Sequence, residues 1–294
     1  MRLSRPARGW IGWCFIAFGF FLFPCSVWAQ AAVDVSQSVT VQAGQLPIIL
    51  SAPHGGTLPI PDVEAPREGE GLARVPGGFV TSRDTGTEEL LKEVAAAIER
   101  KFGKRPYVVA ARTHRKFADM NRPAETAYED PDAKPVYDFY HQSLAKACRE
   151  VQQRFRTGLL LDLHGQGSAK DTVFRGTKNG QTVTLLRERF GEPAHTGDES
   201  LWGSLKSRGW KVHPDPHDGK EQAGFTGGYT VQTYGSHQGF GIDAIQLEFG
   251  ADYRNADTRG KTAAVLADAI AEYAGRYLTI EASPRKPPAG GIDV

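Results

Sequence analysis

The chain has 294 residues, 40% of them hydrophobic and 23% charged, with a formal net charge of +1. That is the balance of an ordinary globular protein, and it gives no reason to expect a nucleic acid or an acidic surface as partner. Of three cysteines, Cys14 and Cys25 lie in an N-terminal segment that reads as a signal, so Cys148 alone remains and an internal disulfide is excluded.

Arg2, Arg5 and Arg8 precede an apolar run from Trp10 to Pro24, and Val27-Trp28-Ala29 puts small residues where a signal peptidase reads. Residues 1–29 are expected to be a secretory signal cut after Ala29, which makes the protein exported, periplasmic or secreted. An uncleaved anchor is the alternative, but the run is short for a bilayer span. Residues 30–282 are expected to form the catalytic domain, and 283–294, rich in Pro and Gly, a disordered tail.

Val33 to Gln42 alternates weakly, as an edge strand would. Leu46 to Leu50 is a short apolar run that opens into Pro53-His54-Gly55-Gly56, a buried strand followed by a tight loop. Pro59 to Gly78 reads as surface loop. Thr85 or Thr87 is placed to cap a helix whose stripe is Leu90, Leu91, Val94, Ile98 and Phe102, closed by Gly103. Tyr107 to Ala111 reads as a strand. Pro135 to Phe155 reads as a helix with Tyr140, Leu144, Cys148 and Val151 on one face, which makes Cys148 a packed core thiol. Leu159 to Leu163 is another buried strand, and it delivers His164-Gly165. Asp198 to Arg208 reads as a helix. Trp210 to His213, Tyr229 to Thr233 and Ile242 to Phe249 read as strands, and Thr258 is expected to cap a last helix to about Leu278. Strands separated by helices predict an α/β fold, three-layer α/β/α, with functional residues gathered at strand ends.

Three residues meet that condition: His54, His164 and Glu248. Two strand–His–Gly corners suit two ligands of one metal ion. Asp162, two residues before His164, is placed to orient an imidazole. A hydrolytic zinc takes three protein ligands; Asp84 is the expected third and Glu88 the runner-up, since an acid in a first helical turn also answers the helix dipole. Arg112 to Arg122 is dense in planar donors that suit a carboxylate or an oxyanion. Glu248, flanked by Leu247 and Phe249, is costly to bury unless it works or is paired, and it suits a base that deprotonates water. His213, His217 and His237 read as loop histidines.

Pro53-His54-Gly55-Gly56, Asp84 to Leu90, Arg115 with Asp119-x-Asn121-Arg122, Asp162-x-His164-Gly165, and Gly227-Gly228-Tyr229 through Gln246-Leu247-Glu248 occur in one order. Over residues 46 to 275 this resembles the N-formylglutamate amidohydrolase family, itself similar to zinc carboxypeptidases and aspartoacylases. The resemblance implies a mixed, mostly parallel central sheet of the phosphorylase/hydrolase-like kind. It implies Zn(2+) on His54, His164 and an acid between them, Glu248 as general base and acid, Arg115 as oxyanion donor, and Asn121 and Arg122 as a clamp on a substrate carboxylate. One departure stands out: the carboxypeptidase and aspartoacylase pattern has a glutamate three residues after the first histidine, and this chain has Thr57. The expected activity is hydrolysis of a linear amide in a small-molecule or peptide-like substrate, with no nucleic acid and no membrane after signal cleavage. An exported amidase for peptidoglycan peptides and a non-catalytic binding protein of the same fold are the alternatives.

Overall fold

The computed structural model describes residues 34–69 and 79–281. The expected signal, the expected tail and part of the loop from Pro59 to Gly78 lie outside them.

Seven strands form one mixed sheet: β1 (Val39–Gln42), β2 (Ile48–Ala52), β3 (Tyr107–Ala111), β4 (Gly158–Gly165), β5 (Val173–Gly176), β6 (Val212–His213) and β7 (Ile242–Phe249), in the order β1-β3-β2-β4-β7-β5-β6. β3, β2, β4 and β7 run parallel. β1 is antiparallel at one edge, and β5 with β6 runs antiparallel to β7 at the other. The mixed, mostly parallel sheet is therefore as expected.

Helices cover both faces, and the strands' period of two shows why. Leu159, Leu161 and Leu163 of β4, with Ile245, Leu247 and Phe249 of β7, join one core beneath the helices Thr87–Phe102 and Arg259–Tyr277. Leu160 and Ala244 join the opposite core beneath the helix Lys134–Phe155, which supplies Tyr140, Leu144, Cys148 and Val151. Cys148 is buried and free, and burial pushes its thiol up to about 12, so it packs as an inert core group.

On that second face the apolar pattern stops part-way. Asp162 and His164 continue the row of Leu160, and Gln246 and Glu248 continue the row of Ala244; the register pairs Asp162 with Gln246 and His164 with Glu248. The carboxyl ends of two central parallel strands thus turn polar side by side, where ligands bind in open α/β sheets.

Four local expectations are corrected. Tyr229 to Thr233 is not a strand but the start of the helix Tyr229–Tyr234. Its β-branched and aromatic residues suit a strand, yet Asn121 Oδ1 accepts the Thr230 N–H at 2.8 Å and so satisfies a free donor of its first turn. The helix Thr87–Phe102 begins after Gly86, which holds φ at 86°, with no side-chain cap; Thr87 Oγ1 instead donates to Asp84 O. Thr258 likewise caps no N–H. The helix after Asp198 is the shorter Leu201–Ser207, capped by Ser200. No helix among the described residues is long and apolar enough to cross a membrane.

Candidate metal and catalytic site

His54 stands two residues beyond β2, at a corner pressed into its neighbours. A Cβ on Gly55 would lie 2.5 Å from Glu88 N, and one on Gly56 would lie 2.2 Å from Arg112 C, so neither position admits a larger residue. His54 O accepts the Asp84 N–H at 3.0 Å, which ties the loop before the helix Thr87–Phe102 to this corner. Asp84 Oδ2 in turn accepts the Gly165 N–H at 3.0 Å. Arg254 fastens the rim from outside, donating to the carbonyls of Thr85, Gln166 and Phe249.

These constraints bring His54, Asp84 and His164 into one buried cluster that can hold a metal ion. His54 Nδ1 and His164 Nδ1 are 3.1 Å apart, and Asp84 Oδ2 lies 3.4 Å from the first and 3.2 Å from the second. Ligand atoms about 2.0–2.1 Å from a tetrahedral ion stand about 3.3 Å from one another, so the triangle has the right size. Asp84 is thus the acid that the structure brings to the two histidines. Glu88 does not join them: its Oε1 accepts from Lys92 Nζ at 2.6 Å.

The ring tautomers also fit. His54 Nε2 lies 2.6 Å from Asp119 Oδ1, and His164 Nε2 lies 2.9 Å from Asp162 Oδ2. An ionised carboxylate only accepts, so each Nε2 carries the proton and each Nδ1 turns a lone pair toward Asp84. Two lone pairs and a carboxylate aimed at one point call for positive charge there. A proton on an Nδ1 or a metal ion can supply it, and the ionisation of the cluster shows the same demand for positive charge. Burial would raise Asp84 and Asp119, but His54 and His164 together outweigh it at Asp84, and His54 with Arg115 and Arg122 at Asp119, and both carboxyls are held well below the usual range. Burial would lower His164, but the charge and hydrogen bond of Asp162 hold its imidazole well above the ordinary value.

Asp162 is itself anchored, since its Oδ1 accepts from Ser51 Oγ at 2.5 Å. Asp119 is a part of the site that sequence reasoning quoted in a motif without giving it a role. It backs His54, accepts the Asn121 N–H at 2.9 Å, and binds Arg115 through Nε at 3.0 Å and Nη2 at 2.8 Å. Arg115 keeps Nη1 nearest the cluster, 3.7 Å from Asp84 Oδ1.

The cluster opens on a cavity of about 290 Å³ lined by Arg115, Asn121, Arg122, Gln246 and Glu248 among others. Asn121 has its oxygen engaged by Thr230, and its Nδ2 lies 3.3 Å from His164 Nε2. Arg122 donates to Asn121 O at 3.0 Å. Glu248 is buried beside His164, and burial raises its carboxyl above the ordinary value, offset in part by His164. His213, His217 and His237 line no part of the cavity. Phe225 and Gly224, from a loop that the sequence did not connect with the site, form one wall.

No family model matches the chain, and no curated protein matches it. Solved structures do. N-formylglutamate amidohydrolase from Ralstonia eutropha JMP134 is 19% identical, with 81% of this chain and 98% of that chain covered and a TM-score of 0.53. The gene product Atu2144 from Agrobacterium tumefaciens is 15% identical, with 81% and 95% covered and a TM-score of 0.52. What this chain shares with both is the fold, a mixed sheet between helical layers.

Proposed function

We propose that the protein is a zinc-dependent hydrolase of linear amides, with His54, Asp84 and His164 as ligands and Glu248 as general base. The observation that carries this reading is the triangle of donor atoms, 3.1–3.4 Å on a side, with the Glu248 carboxylate beside it. Zinc held by such a set supplies Lewis acidity, acidifying water and polarising a carbonyl. The protein's own groups do the rest. Glu248 takes the proton from the attacking water and returns it to the leaving amine. Burial raises its carboxyl above the ordinary value, the direction that suits a base which must later act as acid. In this reading Arg115 donates to the oxyanion, and Arg122 receives a substrate carboxylate. The substrate class is an N-acyl or N-formyl amino acid, or a small peptide-like amide with a free carboxylate. The fold shared with an N-formylglutamate amidohydrolase supports it. The signal-like N-terminus favours a second substrate, a cell-wall peptide amide met after export.

The test is hydrolysis of N-formyl amino acids, N-acetyl amino acids and muropeptides by the zinc-loaded protein, with metal analysis alongside. We expect one stoichiometric ion, lost when His54 and His164 are both changed to Ala. Glu248→Gln is expected to keep the ion and lose turnover by at least about a hundredfold. A wild-type protein that binds no ion, or a Glu248→Gln variant with full activity, would overturn the reading.

A further inference from the structure

Gln246 lies on β7 two residues before Glu248, on the same face, and both side chains are buried. Its amide bridges two groups. Its Oε1 accepts the Gly228 N–H at 2.7 Å, and its Nε2 donates to Glu248 Oε1 at 2.7 Å. A backbone N–H can only donate, so the loop settles which end of the amide faces it, and the donor end must face Glu248.

The loop that imposes this orientation is itself closely seated. A Cβ on Gly176 would lie 2.5 Å from Gly227 N, and one on Gly228 would lie 2.2 Å from Asn121 Nδ2. Lys178 N donates to Thr226 O at 2.6 Å. Upstream, Glu221 is buried and accepts the N–H groups of Thr177 at 2.8 Å and Asn179 at 2.9 Å. The loop cannot slide along β5 without breaking these contacts, and Gln246 cannot turn without losing the loop.

We propose that Gln246 is a positioning residue: it grips Glu248 through Oε1 and leaves Oε2 free for proton transfer in the cavity. The inference rests on Glu248 being the base. A carboxylate at the end of three side-chain torsions spends much of its time misaligned, and a group pinned at one oxygen by an amide that is pinned in turn does not. The contribution belongs to the reacting geometry and not to substrate binding, so it appears in kcat.

The experiment is steady-state hydrolysis of the best N-acyl amino acid from the substrate screen, comparing wild type, Gln246→Met, Gln246→Glu and Glu248→Gln at equal zinc content. Gln246→Met removes both hydrogen bonds at nearly constant length. Gln246→Glu keeps an acceptor for Gly228 but removes the donor to Glu248. Both Gln246 variants are expected to lose about ten- to a hundredfold in kcat with KM within about twofold. Wild-type kcat in Gln246→Met would overturn the inference. So would wild-type kcat in Gln246→Glu, which would reduce Gln246 to a seat for the loop; this variant also decides the matter if Gln246→Met fails to fold. The Glu248→Gln arm separates the two levels. If it is inactive while the Gln246 variants are normal, only the positioning role falls; if it is fully active, the reading of the base falls and the inference with it.

Discussion

The imidazoles of His54 and His164 are each held from behind by a carboxylate, and the two carboxylates differ in what else they carry. Asp162 has a hydroxyl from Ser51, whereas Asp119 also anchors Arg115 and the Asn121 N–H. Asp162→Asn is therefore expected to weaken zinc binding by about ten- to a hundredfold with little other effect. Asp119→Asn should weaken it similarly and also lower activity at saturating zinc, because it frees Arg115. Competition with a chromogenic chelator measures the first effect, and turnover at excess zinc the second; equal affinity in all three proteins would show that neither carboxylate sets its imidazole. The two histidines were readable in the sequence because each follows a buried strand and precedes glycine, and Asp162 because a period of two puts it beneath His164. Asp119 was not, since its task depends on the segment from Thr113 to Arg122 folding back under His54, and nothing in the order of those residues states which of many donors and acceptors meet.

The elements that read clearly are those whose apolar residues are continuous or strictly periodic: β2, β3, β4, β7 and the helices Thr87–Phe102, Lys134–Phe155 and Arg259–Tyr277. β5 was missed because its four residues include Arg175 and Gly176, which break an apolar run. Arg175 is almost wholly buried and is matched by Glu221, which also binds Thr177 and Asn179 and thereby fixes a distant loop to the strand. Such a pair exists only through tertiary structure; in the sequence it is two charged residues 46 positions apart. The helix Tyr229–Tyr234 fails for the related reason that its first turn is completed by Asn121, more than a hundred residues earlier. Glu221→Ala strands the Arg175 charge in the core, and it is expected to cost about 3–5 kcal/mol of stability. The midpoint of urea unfolding measures it, and a shift corresponding to under about 1 kcal/mol would mean that water enters to replace the carboxylate.

Across the molecule, stability carries a pH dependence from Asp243 at the start of β7. Burial raises its carboxyl to about 6, against a side-chain hydrogen bond with Ser236 and the Leu186 N–H, which donates to Asp243 Oδ1 at 3.2 Å. The unfolded chain ionises Asp243 at an ordinary carboxylate pKa of about 3.9. The favourable contribution of the protonated form is therefore complete below about pH 3.9 and is lost as pH rises through about 6, a difference of about 3 kcal/mol. Asp243→Asn should melt higher than wild type at pH 8 and close to it at pH 4; equal melting at pH 8 would place the residue in a wetter setting than its burial indicates. At the same scale, the register of β4 against β7 has a consequence in time. His54, Asp84 and His164 are all present once the ribosome has passed Gly165, but β7 is the last strand among the described residues, and it closes β4 residue for residue from Gly158–Ile242 to Gly165–Phe249. Until that distant pairing forms, β4 is paired on one side only, with β2, and its other edge lacks the strand that carries Gln246 and Glu248. Pairings so far apart in sequence close late and slowly. A growing chain thus carries His54, Asp84 and His164 long before Gln246 and Glu248 can join them, so the site is completed only in the nearly finished protein, in whichever compartment that strand settles.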